Sequence, residues 1–258
     1  MSLDQFAKKI EGLLTDVFQG ATRALAKKHD VPRQSPPLLP SGEQPHYLPN
    51  EEEDDGPEIR QCVLVLDVSG SMSSPDWKPS RLAAAKAAAR EFAIALAETD
   101  SHAFLGVVAY GSEAHIACTL NPIRQLNLIF KAIESLEIEG STNFTKGLDA
   151  AAELFSTTRS QDNFRQVVLL SDGYNTGPNP FELAEDLKDY AVIECVGCAG
   201  TPESVDEELM REIASWNETC TEKRYRWVGE PQELTRHFVR LAQRPLLELT
   251  PRSSLPGR

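Results

Sequence analysis

The stretch Val63-Leu64-Val65-Leu66-Asp67-Val68-Ser69-Gly70-Ser71-Met72 decides how the rest of the chain is read. Four consecutive apolar residues, two of them β-branched, predict a strand buried on both faces. The strand runs into an acid, two hydroxyls and a glycine. Ligands of open parallel sheets bind beyond the carboxyl ends of the strands, so Asp67, Ser69 and Ser71 are delivered to the place where such a fold keeps its site. Gly70 permits a tight turn between the two serines. All three side chains offer hard oxygen donors of the kind that suits Mg²⁺ or Mn²⁺.

Outward from this strand, strand and helix signals alternate. Strands are expected at 59–68, 103–110, 113–120, 166–171, 191–199 and 225–228. The third follows the turn signal Gly111-Ser112 and is expected antiparallel to the second. Helices are expected at 79–98, 122–136, 145–158, 180–190, 205–216 and 231–244. The first of these is rich in alanine, which favours helix and allows close packing on a sheet. The order predicts an α/β, Rossmann-like, doubly wound and mostly parallel sheet with one antiparallel edge strand, plus an N-terminal helix.

Before this unit, Leu3, Phe6, Ile10, Leu13, Leu14, Val17, Phe18, Ala21 and Leu25 recur at helical spacing. They predict an amphipathic helix within residues 1–29. Packing back on the domain is one use for its apolar stripe and docking a partner or self-association another; membrane-surface binding is the least favoured, because the polar face is mixed rather than basic. Residues 30–57 carry Pro32, Pro36, Pro37, Pro40, Pro49 and Pro57 and end in Glu51-Glu52-Glu53-Asp54-Asp55. They read as a linker, the acidic run being solvated and self-repelling rather than a metal site. The expected organisation is a helix at 1–29, a linker at 30–57, one domain at 58–244 and a tail at 245–258.

Two later features join the opening stretch: Gly140-Ser141-Thr142-Asn143, and the apolar run Val167-Val168-Leu169-Leu170 ending in Ser171-Asp172-Gly173. Helix caps and turn hydrogen bonds are the structural alternative for any one of these. An apolar strand ending in Asp-x-Ser-x-Ser-Met, then Gly-x-Thr-Asn, then a strand ending in Ser-Asp-Gly resembles a von Willebrand factor A (vWA) domain. The likeness extends over about residues 58–242, and it is to the bacterial intracellular members of the family. It implies a complete metal-ion-dependent adhesion site (MIDAS), with Asp67, Ser69, Ser71, Thr142 and Asp172 at the five metal positions. Mg²⁺ is the expected ion, with Mn²⁺ or Ca²⁺ as substitutes. Met72, Ser73, Ser141, Asn143 and Tyr174 are expected on a partner-contacting rim. Trp77 either joins that surface or packs beneath its loop.

The same resemblance implies a protein-interaction module, not an enzyme, in which the ion captures an Asp or Glu side chain of a partner. Assemblies with an AAA+ ATPase or a kinase/phosphatase system are what it suggests. The alternatives are a metal-dependent phosphoesterase, which would need a general base that the sequence does not offer, and a surface adhesin. The net charge of −13 over 258 residues disfavours nucleic acid as a partner. No apolar run of about 18 residues predicts a membrane span. The N-terminus lacks a basic segment followed by an apolar core, and the five cysteines are an odd number. A cytoplasmic location with reduced thiols is therefore expected. Cys195-Val196-Gly197-Cys198 falls inside a predicted strand, where its two thiols would face opposite ways. That argues for core thiols over redox chemistry.

Overall fold

The structure is a computed structural model and describes residues 59–157 and 163–251. The expected N-terminal helix and linker, and the end of the expected tail, lie outside these residues. Six strands, β1 (Ile59–Asp67), β2 (Phe104–Tyr110), β3 (Ala114–Pro122), β4 (Asn163–Ser171), β5 (Val192–Cys198) and β6 (Tyr225–Val228), form one sheet in the order β3-β2-β1-β4-β5-β6. All pairings are parallel except β2–β3, which places the antiparallel strand at an edge. This is the doubly wound α/β architecture that the alternation predicts.

β1 lies at the centre, and its continuous apolar run follows from burial on both faces. Cys62, Leu64 and Leu66 enter one core, while Val63 and Val65 enter the other. Against the first core pack α1 (Arg81–Thr99), α2 (Leu126–Glu134) and α6 (Pro231–Ala242). Against the second pack α3 (Phe144–Ser156), α4 (Phe181–Lys188) and α5 (Glu207–Ile213). The alanines of α1 do as expected: Ala85, Ala88, Ala89 and Ala93 are fully buried. Phe92 of α1 meets Phe238 of α6 edge to face, with ring centroids 6.2 Å apart. Cys195 and Cys198 sit in opposite cores, all five cysteines are free, and burial pushes the thiols of Cys195 and Cys198 up.

Three stretches depart most from expectation. The segment from Pro122 was expected to be helical, but β3 continues to Pro122, paired with Phe104, and α2 begins at Leu126. Proline is tolerated there because it ends an edge strand. α5 is shorter than its pattern: Asp206 caps it by accepting from the Leu209 N–H, and the chain leaves the helix after Ile213. Trp216 instead bridges to Lys223 in an antiparallel pair. The first part of the expected tail packs on the domain, with a 3-10 turn at Leu246–Leu249 and Leu249 fully buried. Among the described residues, no helix is long and apolar enough to cross a membrane.

Candidate metal centre

The carboxyl ends of β1 and β4 are neighbours in the sheet, Leu66 lying beside Leu170. Each strand ends in a polar residue, Asp67 and Ser171. The Asp67 carboxylate is fully buried. One of its oxygens accepts the Ser69 N–H at 2.7 Å, and the other accepts from Ser171 Oγ at 2.7 Å. Burial pushes its pKa up to about 6, against the opposing pull of the Ser69 and Ser171 hydroxyls and the Ser69 N–H.

After Asp67 the chain turns through a 3-10 segment, Gly70–Ser73. This brings Ser69 Oγ and Ser71 Oγ within 3.0 Å of each other. Ser71 Oγ donates to Asp172 Oδ1 at 2.6 Å, which joins the first loop to the third. The middle loop is fastened to the first by backbone bonds: the Gly70 N–H donates to Gly140 O at 3.0 Å and the Glu139 N–H to Val68 O at 2.6 Å. Gly140 has φ 62°, and a Cβ there would meet Ser112 Oγ at 2.3 Å, so this close approach requires glycine. Thr142 is buried, and its carbonyl accepts from both the N–H and the hydroxyl of Thr176. A Cβ on Gly173 would lie 3.6 Å from Ser71 Oγ and 3.8 Å from Thr142 Oγ1, so the three loops converge at that glycine.

Asp67, Ser69, Ser71, Thr142 and Asp172 are thus brought together. The set is all oxygen, with two buried carboxylates and three hydroxyls, and suits a hard cation. Among the described residues, no group of three or more His, Cys, Asp and Glu is placed to hold an ion, so the hydroxyls are needed to complete the donor set.

The expected rim is brought together only in part. Ser73 and Ser141 are exposed, with Ser73 Oγ donating to Gly70 O and Ser141 Oγ lying 3.1 Å from Ser112 Oγ. Tyr174 is 57% exposed, and its hydroxyl donates to Glu203 O. Asn143 is half-buried and caps α3 by accepting from the Lys146 N–H, so its side chain is engaged locally. Met72 corrects the expectation: it is fully buried. The 3-10 turn points it inward, where it joins the same core as Trp77, itself 4% exposed. Trp77 therefore packs beneath the loop.

Two residues of the site did not come from sequence reasoning. Arg81, the first residue of α1, donates from Nη1 to Asp172 Oδ2 at 2.8 Å and grips Asp76 with Nε and Nη2. A cation in the first turn opposes the helix dipole, and that anomaly was the available signal that a carboxylate partner was near. Ser171, which orients Asp67, carried no signal beyond its place in Ser-Asp-Gly.

Residues 62–175 match the von Willebrand factor type A domain family model. The UPF0353 protein of Mycobacterium sp. strain KMS is 30% identical over 181 residues, which cover 60% of this chain and 52% of the relative. The chain spans about half the length of the curated relatives it matches. Among solved structures, a von Willebrand factor type A protein from Catenulispora acidiphila superposes with a TM-score of 0.59 at 20% identity, over 72% of this chain and 42% of that one. Proximal thread matrix protein 1 from the mussel byssus, in a form with a zinc-occupied MIDAS motif, has a TM-score of 0.59 at 21% identity, over 76% and 47%. Motif order, sheet order and family match agree: the chain has the fold of von Willebrand factor type A proteins, and its residues 62–175 are similar to that domain family.

Proposed function

We propose that Asp67, Ser69, Ser71, Thr142 and Asp172 hold a divalent cation, Mg²⁺ foremost, and that this site binds an Asp or Glu side chain of a partner protein. The observation that carries the reading is the meeting of three hydroxyls and two buried carboxylates at the carboxyl ends of β1 and β4. Charge supports it. Asp172 is paired with Arg81, whereas among the described residues no lysine or arginine is paired with Asp67. A buried carboxylate without a cation is costly, and a metal ion is a common remedy.

When bound, the ion supplies a local positive focus that attracts an anionic oxygen. The chain's own residues favour binding over catalysis. Ser71 Oγ donates a hydrogen bond to Asp172 and Ser69 Oγ lies 3.0 Å from Ser71 Oγ, so both are neutral hydroxyls whose oxygens can be offered to an ion. Neutral ligands leave a divalent charge only partly offset, which favours one further carboxylate from outside. Ser73, Ser141 and Tyr174 are the exposed residues around that approach. The mussel protein with a zinc-occupied MIDAS motif gives a precedent for an ion at this motif in a protein of the same fold.

Affinity capture from bacterial extract tests the reading, with the full chain in Mg²⁺, in EDTA, and as Asp172→Ala. A partner retained in Mg²⁺, released by EDTA and missed by the variant is the expected result. Capture unchanged across all three conditions refutes metal-bridged binding.

A further inference from the structure

We infer that Arg81 sets which divalent ion the site prefers, by holding one oxygen of Asp172 away from ligation; the inference rests on the metal-binding reading above. The Arg81 side chain is 12% exposed and that of Asp172 0% exposed. Its guanidinium is anchored from behind, with Nε 3.0 and 3.1 Å from the two oxygens of Asp76 and Nη2 2.6 Å from Oδ2. Asp76 is held in turn by the N–H of Trp77, whose ring is packed in the core beneath the loop. The remaining arm, Nη1, reaches Asp172 Oδ2 at 2.8 Å. The loop before α1 thus fixes an arginine fork, and the fork fixes Asp172.

The two oxygens of Asp172 therefore have different partners. Oδ1 is turned to Ser71 Oγ, toward the hydroxyls, while Oδ2 is turned to Arg81. A carboxylate held in this way can offer one oxygen to an ion but not two. Mg²⁺ requires about six ligands in octahedral array at about 2.0–2.1 Å, accepts single carboxylate oxygens and keeps waters, whereas Ca²⁺ takes about six to eight and often a bidentate carboxylate. Arg81 thereby penalises Ca²⁺ more than Mg²⁺. It acts through Asp172, so its role is one of positioning, exercised on specificity.

The test is titration calorimetry of the full chain with Mg²⁺ and with Ca²⁺, for the wild type, Arg81→Gln and Asp76→Asn. Arg81→Gln frees Asp172 Oδ2 and should move the Ca²⁺/Mg²⁺ affinity ratio toward Ca²⁺ by about ten-fold or more. Asp76→Asn keeps the Arg81 charge but loosens its anchor, and should move the ratio the same way by less. If Arg81→Gln fails to fold by circular dichroism, Asp76→Asn and Arg81→Lys, which keeps the charge without the fork, carry the test. A ratio unchanged in folded variants overturns the inference, as does an equal rise in both affinities, which would reduce Arg81 to its charge. A wild type that binds neither ion overturns the metal reading as well.

Discussion

Asp67→Asn should make the metal-free protein more stable and flatten its response to pH. The Asp67 carboxyl is fully buried at the end of β1, and burial pushes its pKa from 3.8 to about 6. A carboxyl raised in the folded state contributes its full stability below the unfolded value near 3.8 and loses it as pH rises through about 6. At one pKa unit per ~1.4 kcal/mol, ionised Asp67 costs the metal-free fold about 3 kcal/mol at neutral pH. Asparagine keeps the shape and one acceptor oxygen for the Ser69 N–H. Its amide must then turn to Ser171 Oγ, a changed pairing worth about 1–2 kcal/mol against it. The net gain is about 1–2 kcal/mol, or a Tm rise of roughly 2–8 °C for a domain of this size. Thermal and urea unfolding in EDTA, at about pH 7.5 and about pH 4.5, measure it. The gap between wild type and variant should close at the lower pH. A variant no more stable than wild type at the higher pH, or a gap indifferent to pH, would refute the reasoning. With Mg²⁺ added, only the wild type should gain stability, so the residue that weakens the empty fold is the one that couples it to the ion.

Two other expectations follow from packing and charge. Gly147→Ala places a Cβ 2.9 Å from Val65 Cγ1 and 3.0 Å from Tyr110 Cγ, where α3 crosses the sheet. Overpacking of about 1–3 kcal/mol outweighs a helix gain of about 1, and the urea midpoint should fall with unchanged slope. Burial, with Arg226, Arg244 and Arg240 nearby, lowers the His237 pKa from 6.5 to about 4. Its contribution to stability is therefore full above 6.5 and is lost as pH falls toward 4, by at most about 3 kcal/mol. His237→Gln should remove that slope from a series of urea melts between those pH values.

The features legible in the sequence were those where one local pattern has a single physical use. The runs at 63–66 and 167–170, short and ending in turn residues, read as strands buried on both faces, and in a parallel sheet the polar residues that end them emerge at its carboxyl edge. Met72 was misplaced because the direction of a side chain in a 3-10 turn depends on the core beneath it, here the one that holds Trp77. Pro122 resembled a helix start because no local signal says that β2 has a strand edge for it to finish. Arg81 shows the same limit at the site itself. Its partner Asp172 lies 91 residues away, so only the fold discloses that a basic residue at a helix start is half of a clamp.

The central position of β1 has a further consequence, for the order of events in folding. Ser71 and Asp172 are 101 residues apart, and Cys62 and Gln166, on neighbouring strands, are 104 apart. Such long closures are entropically slow, so the three loops meet only once β4 has docked beside β1. Until then no partial structure presents the full set of oxygens. A ligand of the site therefore has nothing to bind in the early chain, and its stabilisation appears in the unfolding rate, as a longer native lifetime rather than a faster route to the native state.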